Sequence, residues 1–325
     1  QDNEVFSKEL ENVGRFMNGF GFVGYPAMET INSFTGKENQ YVCSEAMLYH
    51  QSGDLGKLNI HTYLQENFQK PKDFGSFIYI SQILQGEVMK TAIENHRVNK
   101  PYCMGSLYWQ LNDSWPTSSY STIDYLGRWK ASHYYVKRLF GNLLPIMKKR
   151  DQYLDIFMVS DALEPVKAKL KVKCINFSGE ELWGFTKELN LEPNSNNCIA
   201  EEKIDDIRKG QDQEEILIFA EVINEKETIA YNMLYFKPIK ELKLPQPGIT
   251  FNIQVKDKIP EITLSTRKLA KNVFLKIEGN DVFFEDNFFD LLPGQQKKVR
   301  VYNSPGIDDI KTNLKITSVI DSYFH

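Results

Sequence analysis

Two tryptophans, Trp109 and Trp115, flank Gln110, Asn112 and Asp113 in the run Gly105-Ser106-Leu107-Tyr108-Trp109-Gln110-Leu111-Asn112-Asp113-Ser114-Trp115-Pro116. An indole covers the C–H face of a pyranose while amide and carboxylate oxygens bond its hydroxyls, so these four residues (Trp109, Asn112, Asp113 and Trp115) are the candidate substrate-binding set. A plainer reading stands beside it: the indoles fill space between a strand and its helix, and Asp113 caps the turn that Asp-Ser-Trp-Pro favours. A second unusual segment, Arg15 to Pro26, is a buried-strand pattern broken by Gly19, Gly21 and Gly24 and ended by proline. Glycine inside a strand marks a place where a ligand or another backbone comes close. The histidines offer less. His133 reads as a packed, hydrogen-bonded residue, and His50, His61 and His96 have no ligand spacing, so no metal site is expected.

Those segments need elements to hold them. From Phe77 to His96, Ile80, Leu84, Val88 and Ala92 recur at four-residue steps, which predicts an amphipathic helix. The run Cys103 to Trp109 then reads as a buried strand, and Trp129 to Phe140 as a second helix. Its inner stripe is Trp129, His133, Val136 and Phe140, with Lys130 and Lys137 outside. The order strand, helix, strand, helix is α/β.

Beyond residue 150 the period drops to two. Val166, Ala168, Leu170, Val172 and Cys174 alternate with Lys167, Lys169, Lys171 and Lys173, which predicts a strand buried on one face, with lysines that discourage edge pairing. Runs at Tyr153–Val159, Ile216–Ile223 and Thr228–Phe236 complete a β-sandwich. Leu242 to Gly248, with two prolines and a glycine, reads as a linker. Short β-type runs at Ile249–Val255, Glu261–Thr266, Val273–Ile277, Val282–Phe284, Lys298–Tyr302 and Asn313–Ser318 predict a smaller second sandwich.

Bulk composition narrows the classes. The 325 residues suffice for two or three domains, and 42% hydrophobic with 25% charged residues is ordinary for globular domains. With 39 Lys and Arg against 43 Asp and Glu, a net charge of −4 gives no field for nucleic acid. Cys43, Cys103, Cys174 and Cys198 form no CxxC pair and predict buried free thiols rather than zinc ligands. No apolar run is long enough to span a membrane. The start, Gln1-Asp2-Asn3-Glu4, has neither a basic nor an apolar leader pattern, which suggests a removed leader or a longer parent.

The run Gly105 to Pro116, followed by Ser121-Thr122-Ile123-Asp124-Tyr125-Leu126-Gly127-Arg128-Trp129-Lys130-Ala131-Ser132-His133-Tyr134-Tyr135-Val136-Lys137-Arg138, resembles the last barrel strand and helix of β-mannosidases of glycoside hydrolase family 2. Arg15 to Ile31 is similar to the family's seventh-strand segment. Asp286-Asn287-Phe288-Phe289 and Leu292-Pro293-Gly294 resemble its C-terminal sandwiches. The resemblance implies a partial (β/α)8 (TIM) barrel over 1–145, then immunoglobulin-like β-sandwiches over 146–242 and 243–325.

It also implies a chemistry. The family removes terminal β-mannose with retention, using two glutamates and no metal or other cofactor. Retention requires carboxyl groups about 5 Å apart, one nucleophile and one acid/base. The acid/base follows the fourth strand, upstream of Gln1, and Asn3-Glu4 lacks that strand's pattern. The nucleophile sits in Ser-Glu-Phe/Tyr-Gly, where this chain has Asn18-Gly19-Phe20-Gly21, so Gly19 occupies the glutamate's position. Val23-Gly24 replaces the usual Gln-Ser. Glu29 and Glu45 fall on the connection after that strand and are not expected to point into the barrel mouth.

The expected partner is therefore a β-mannoside or manno-oligosaccharide, with no nucleic acid and no membrane. For a bacterial chain the resemblance favours the periplasm or the exterior. Two strands cut from a closed barrel expose unpaired edges, and Phe16, Phe20, Leu107 and Trp109 lose their layer partners. Residues up to 145 should lean on the adjoining sandwich, pair with another copy through the exposed edges, or need the N-terminal half of the barrel.

Overall fold

The structure, a computed structural model, describes residues 13–51 and 55–324, with backbone alone for 55–59. Gln1-Asp2-Asn3-Glu4 lies outside the described residues.

The N-terminal part is helical around one long element. Short helices α1 (Met28–Asn32) and α2 (Glu45–Tyr49) precede α3 (Leu55–Asn67) and α4 (Phe74–Val98). Asp73 caps α4 by accepting from the Ser76 amide at 2.7 Å, and His96 and Arg97 complement the dipole in its last turn. Ile80, Leu84, Val88 and Ala92 are buried as the spacing predicts. Ile78, Ile83, Met89 and Ile93, on its other sides, are buried too, so α4 is core nearly all round.

The neighbours of α4 explain this. It packs on α5 (Ala131–Leu139), and its cluster takes in Leu144, Ile146 and Val159 on one side and Phe288, Val319 and Tyr323 on the other. The expected stripe of α5 is corrected here. Tyr134, Tyr135, Val136 and Leu139 are buried, His133 is half-buried, Phe140 is exposed, and Lys130 is fully buried just ahead of the first turn. Enclosure on two sides brought in residues that a one-face pattern leaves to solvent.

Cys103 to Trp109 is not a regular buried strand. Met17 makes a single parallel bridge to Ser106, and Met104, Leu107 and Trp109 are exposed, with Leu107 at 54%. Arg15 to Pro26 has the same character: Phe16 is exposed, and burial begins only at Val23. Among the described residues, none of the sheet strands pairs with these two segments to cover their apolar faces.

The rest is β. Strands β1 (Leu143–Arg150), β2 (Tyr153–Ser160), β3 (Val166–Asn176), β4 (Glu181–Leu191), β5 (Asn196–Lys203), β6 (Ile216–Asn224) and β7 (Glu227–Tyr235) form two sheets, ordered β1-β2-β5 and β4-β3-β6-β7. They close on a shared core of Leu154, Ile156 and Met158 against Leu170, Val172 and Cys174. The predicted lysine alternation holds in β3, but the strand is interior, paired with β4 and β6, so its lysines guard no edge. β1 starts at Leu143, ahead of the boundary expected after residue 145.

After the irregular stretch 242–249 come β8 (Thr250–Lys256), β9 (Ile259–Ser265), β10 (Ala270–Ile277), β11 (Phe283–Phe284), β12 (Phe289–Leu291), β13 (Gln296–Tyr302) and β14 (Leu314–Thr317). They pair as β11-β13-β9-β8 and β12-β10-β14 around Ile262, Leu264, Val273, Leu275 and Val299.

The helical part leans on both sandwiches. Tyr79 donates to the Asn272 carbonyl at 2.5 Å, and Arg138 bonds Asp286 at 2.6 Å and the carbonyls of Asn287 and Phe288 at 3.1 Å each. Arg97 pairs with Asp161 at 2.6 Å on the first sandwich. Of the four free cysteines, Cys103 and Cys174 are buried, but Cys43 and Cys198 are exposed, against expectation.

Candidate active site

The two chemistry-bearing segments run side by side. Met17 N donates to the Gly105 carbonyl at 2.9 Å, Leu107 N to that of Met17 at 2.8 Å, and Trp109 N to that of Phe20 at 2.8 Å. Gly24 and Ser119 exchange backbone bonds of 2.9 and 3.2 Å farther along. The Trp109–Gln110 peptide is cis.

The three glycines differ in kind. A Cβ on Gly21 would stand 2.3 Å from the Trp109 carbonyl oxygen, and one on Gly24 would stand 2.3 Å from Gln85 Oε1. Both are required by close approach. A Cβ on Gly19 would have no heavy atom within 4 Å, so a side chain there would enter open space beside Trp109.

Gln85 of α4, fully buried, fixes these segments from beneath. Its Nε2 lies 2.8 Å from the Phe22 carbonyl, 3.2 Å from that of Tyr120 and 3.1 Å from that of Ser121, while Oε1 accepts from Ser132 Oγ at 3.0 Å. The sequence barely marks this role: Gln85 is one of two amides, with Gln82, in a mostly apolar helical stretch.

Asp113 is buried, with both oxygens in use. Oδ1 accepts from Ser119 Oγ at 2.7 Å and Gln110 Nε2 at 3.2 Å, and Oδ2 from Ser121 Oγ at 2.6 Å. A carboxylate so occupied shapes the loop instead of presenting a free acceptor, which favours the turn-forming reading of this residue. Asn112 is exposed, its Nδ2 bonded to the Asp113 carbonyl at 3.2 Å.

A second buried carboxylate lies close by. Asp124 accepts from Ala27 N at 3.1 Å and Thr30 Oγ1 at 2.6 Å, fastening the start of α1, and from Leu126 N and Arg128 N. Lys130 Nζ donates to the carbonyls of Gly24 at 3.1 Å and Ser119 at 3.3 Å. Desolvation brings its pKa down to about 8, against the opposing pull of Asp113 and Asp124. No pattern in the sequence marks Lys130 as buried.

Trp109 is 65% exposed and Trp115 41%. Trp115 stacks on His50 at 4.7 Å, and His50 stacks on Phe34 at 3.9 Å. His50 Nδ1 sits 2.5 Å from the Pro116 carbonyl, which only accepts, so Nδ1 carries the proton. His133 bonds Thr122 Oγ1 at 2.9 Å, and burial lowers its pKa. His96 bonds Ser106 Oγ at 2.8 Å, and burial takes its pKa down to about 4.

Other carboxylates stand elsewhere. Burial raises the Glu29 pKa, but its hydrogen bond to Lys276 and that residue's charge outweigh this and hold it below the ordinary value. Glu45 is exposed in the first turn of α2. Among the described residues, no group of three His, Cys, Asp or Glu side chains is placed to hold a metal ion. Cavities of about 860 and 530 Å³ lie at the junctions of the helical part with the sandwiches, and neither is lined by Trp109, Asp113 or Trp115.

Two family models match this chain: a "Mannosidase Ig/CBM-like domain" over 152–241 and an "Ig-fold domain" of mannosidases over 244–322. β-Mannosidase B of Aspergillus niger is 27% identical over 311 residues, covering 89% of this chain and 36% of that protein. β-Mannosidase of Capra hircus is 25% identical over 331 residues, covering 95% and 38%. The crystal structure of β-D-mannosidase from Dictyoglomus thermophilum superposes with a TM-score of 0.89 at 30% identity, covering 96% of this chain and 38% of that one. The chain is homologous to the β-mannosidases. Its sandwiches are the immunoglobulin-like domains of that group. This β-mannosidase homologue spans well under half the length of the relatives it matches.

Proposed function

We propose that the chain carries part of the mannoside-binding site of a β-mannosidase-like glycoside hydrolase, and that it does not hydrolyse mannosides as it stands. The observation that carries this is Gly19. It lies in the segment hydrogen-bonded to Trp109, at the position the nucleophilic glutamate holds in the resembling family, and open space faces it where a side chain would project. Retaining hydrolysis forms a glycosyl ester between a carboxylate oxygen and the anomeric carbon, expels the leaving alcohol, and then cleaves the ester with water. Glycine has no atom to form that ester.

In this reading Trp109 offers its exposed face to the terminal ring and Asn112 an amide to its hydroxyls, while Asp113 and Gln85 hold the loop and the glycine segment in register. The described residues ahead of Leu143 are the last part of a (β/α)8 barrel, and the two sandwiches follow, joined through the stretch 242–249. The parallel bridge of Met17 with Ser106 and the exposure of Phe16, Leu107 and Trp109 support this. The remaining strands of such a barrel, or a second copy paired through the same edges, are its natural cover.

A second reading, a non-catalytic sugar-binding protein, is favoured by the exposed Trp109 beside a position without a carboxylate. Two measurements test the set. Incubation with a nitrophenyl β-mannoside should release no nitrophenol above a buffer blank, and turnover that survives repurification overturns the claim of inactivity. Calorimetric titration with β-1,4-mannobiose should give saturable heat that Trp109→Ala abolishes. Absence of heat refutes the sugar platform and leaves a purely structural role.

A further inference from the structure

We infer that Tyr49 and Trp115 form a subsite for the second sugar of a mannoside, separate from the Trp109 platform. This rests on the reading of the site as mannoside-binding. Tyr49 is 74% exposed at the C-terminal end of α2, and its ring meets that of Trp115 edge-on at 5.8 Å with an interplanar angle of 88°. Two rings at a right angle make a corner with one flat wall and one edge. That shape takes the C–H face of a pyranose and leaves the ring's hydroxyls to solvent.

The corner is preorganised. Trp115 stacks on His50, and His50 is held from both sides by Phe34 at 3.9 Å and by its bond to the Pro116 carbonyl. The loop is tied down as well: Ser118 N donates to the His50 carbonyl at 2.9 Å, and Ser119 Oγ to Asp113. Tyr49 makes ring contacts with His50 and Trp115 and, among the described residues, turns the rest of its ring to solvent. Rings fixed before binding lose little entropy when a sugar stacks on them.

Trp109 precedes the loop that Asp113 ties to Gln110, Ser119 and Ser121, and Trp115 lies within it, so one monosaccharide need not touch both. The terminal ring takes Trp109, and the ring attached to it reaches the Tyr49–Trp115 corner. Tyr49 then sets the preference for a disaccharide over a monosaccharide.

The test is calorimetric titration of the full chain with mannose and with β-1,4-mannobiose. Mannobiose should bind about tenfold more tightly than mannose, a gain typical of one added stacking contact. Tyr49→Ala should bring the ratio to about one, within twofold, with mannose affinity unchanged, and Tyr49→Phe should restore the ratio. Because Tyr49 is exposed, neither change should alter the unfolding temperature. If Trp109→Ala weakens both sugars while Tyr49→Ala leaves the ratio intact, the subsite is refuted and the Trp109 platform stands. If neither sugar gives heat, both are refuted.

Discussion

The amide oxygen of Gln85 occupies the place where residue 24 would carry a side chain: a Cβ built on Gly24 would lie 2.3 Å from it. The helix and the glycine segment are thus matched to each other. Gly24→Ala should destabilise the protein by about 1 to 3 kcal/mol through overpacking. Gln85→Ala should cost about 2 to 4 kcal/mol, because the carbonyls of Phe22, Tyr120 and Ser121 lose a buried donor. The double variant should be more stable than the sum of the two losses by about 1 kcal/mol or more, read from urea unfolding. Strict additivity would mean that the two residues do not meet.

Gly19 and Gly21 should respond in opposite ways. Gly19→Glu enters open space and should leave the unfolding midpoint nearly unchanged. Gly21→Ala drives a methyl into the Trp109 carbonyl, which is backbone and cannot swing aside, and should cost about 2 kcal/mol or more. Thermal melts of the two variants, run together, decide it.

Lys130 predicts a pH dependence. Its pKa falls from its ordinary value to about 8 on burial, so the unfolded chain binds the proton more tightly. Below pH 8 the ammonium is charged in both states and the folded protein bears the full cost. As the pH rises toward 10.5 that cost is relieved, on the order of 3 kcal/mol in all, so this residue contributes a stability that increases with pH. Lys130→Met should remove that increase. Urea midpoints at pH 7.5 and 9.5 should draw apart in wild type relative to the variant; equal slopes would contradict the assignment.

Arg138 joins the helical part to the second sandwich through Asp286 and two carbonyls. Arg138→Ala leaves Asp286 with Lys297 as its remaining cationic partner and should cost about 3 to 5 kcal/mol. Calorimetry should show one cooperative transition in wild type and a split transition in the variant.

Much of this was legible in the sequence where a regular period met a regular element. The four-residue steps of Ile80, Leu84, Val88 and Ala92 and the alternation of Val166 to Cys174 name α4 and β3 directly. β1, β4, β5 and β12 escaped notice because their apolar residues do not alternate cleanly; Leu143 to Met147 is an unbroken buried run. Lys130 and Gln85 were illegible for a different reason. A buried polar residue is recognised by its partners, and the carbonyls of Gly24 for Lys130 and Phe22 for Gln85 are far away in the chain. Asp113 stands out in the sequence for its place between two tryptophans, but whether its oxygens face a ligand or two serines depends on the path of the loop.

Intact-mass spectrometry after incubation with a 2-fluoro mannosyl fluoride reports most directly on whether any carboxylate of this chain takes the nucleophile's part. The fluorine slows breakdown of a glycosyl ester, so an enzyme with a working nucleophile gains the mass of one fluoromannosyl group. This chain should emerge at its starting mass. A stoichiometric adduct mapped to any of its own residues would contradict the role assigned to Gly19.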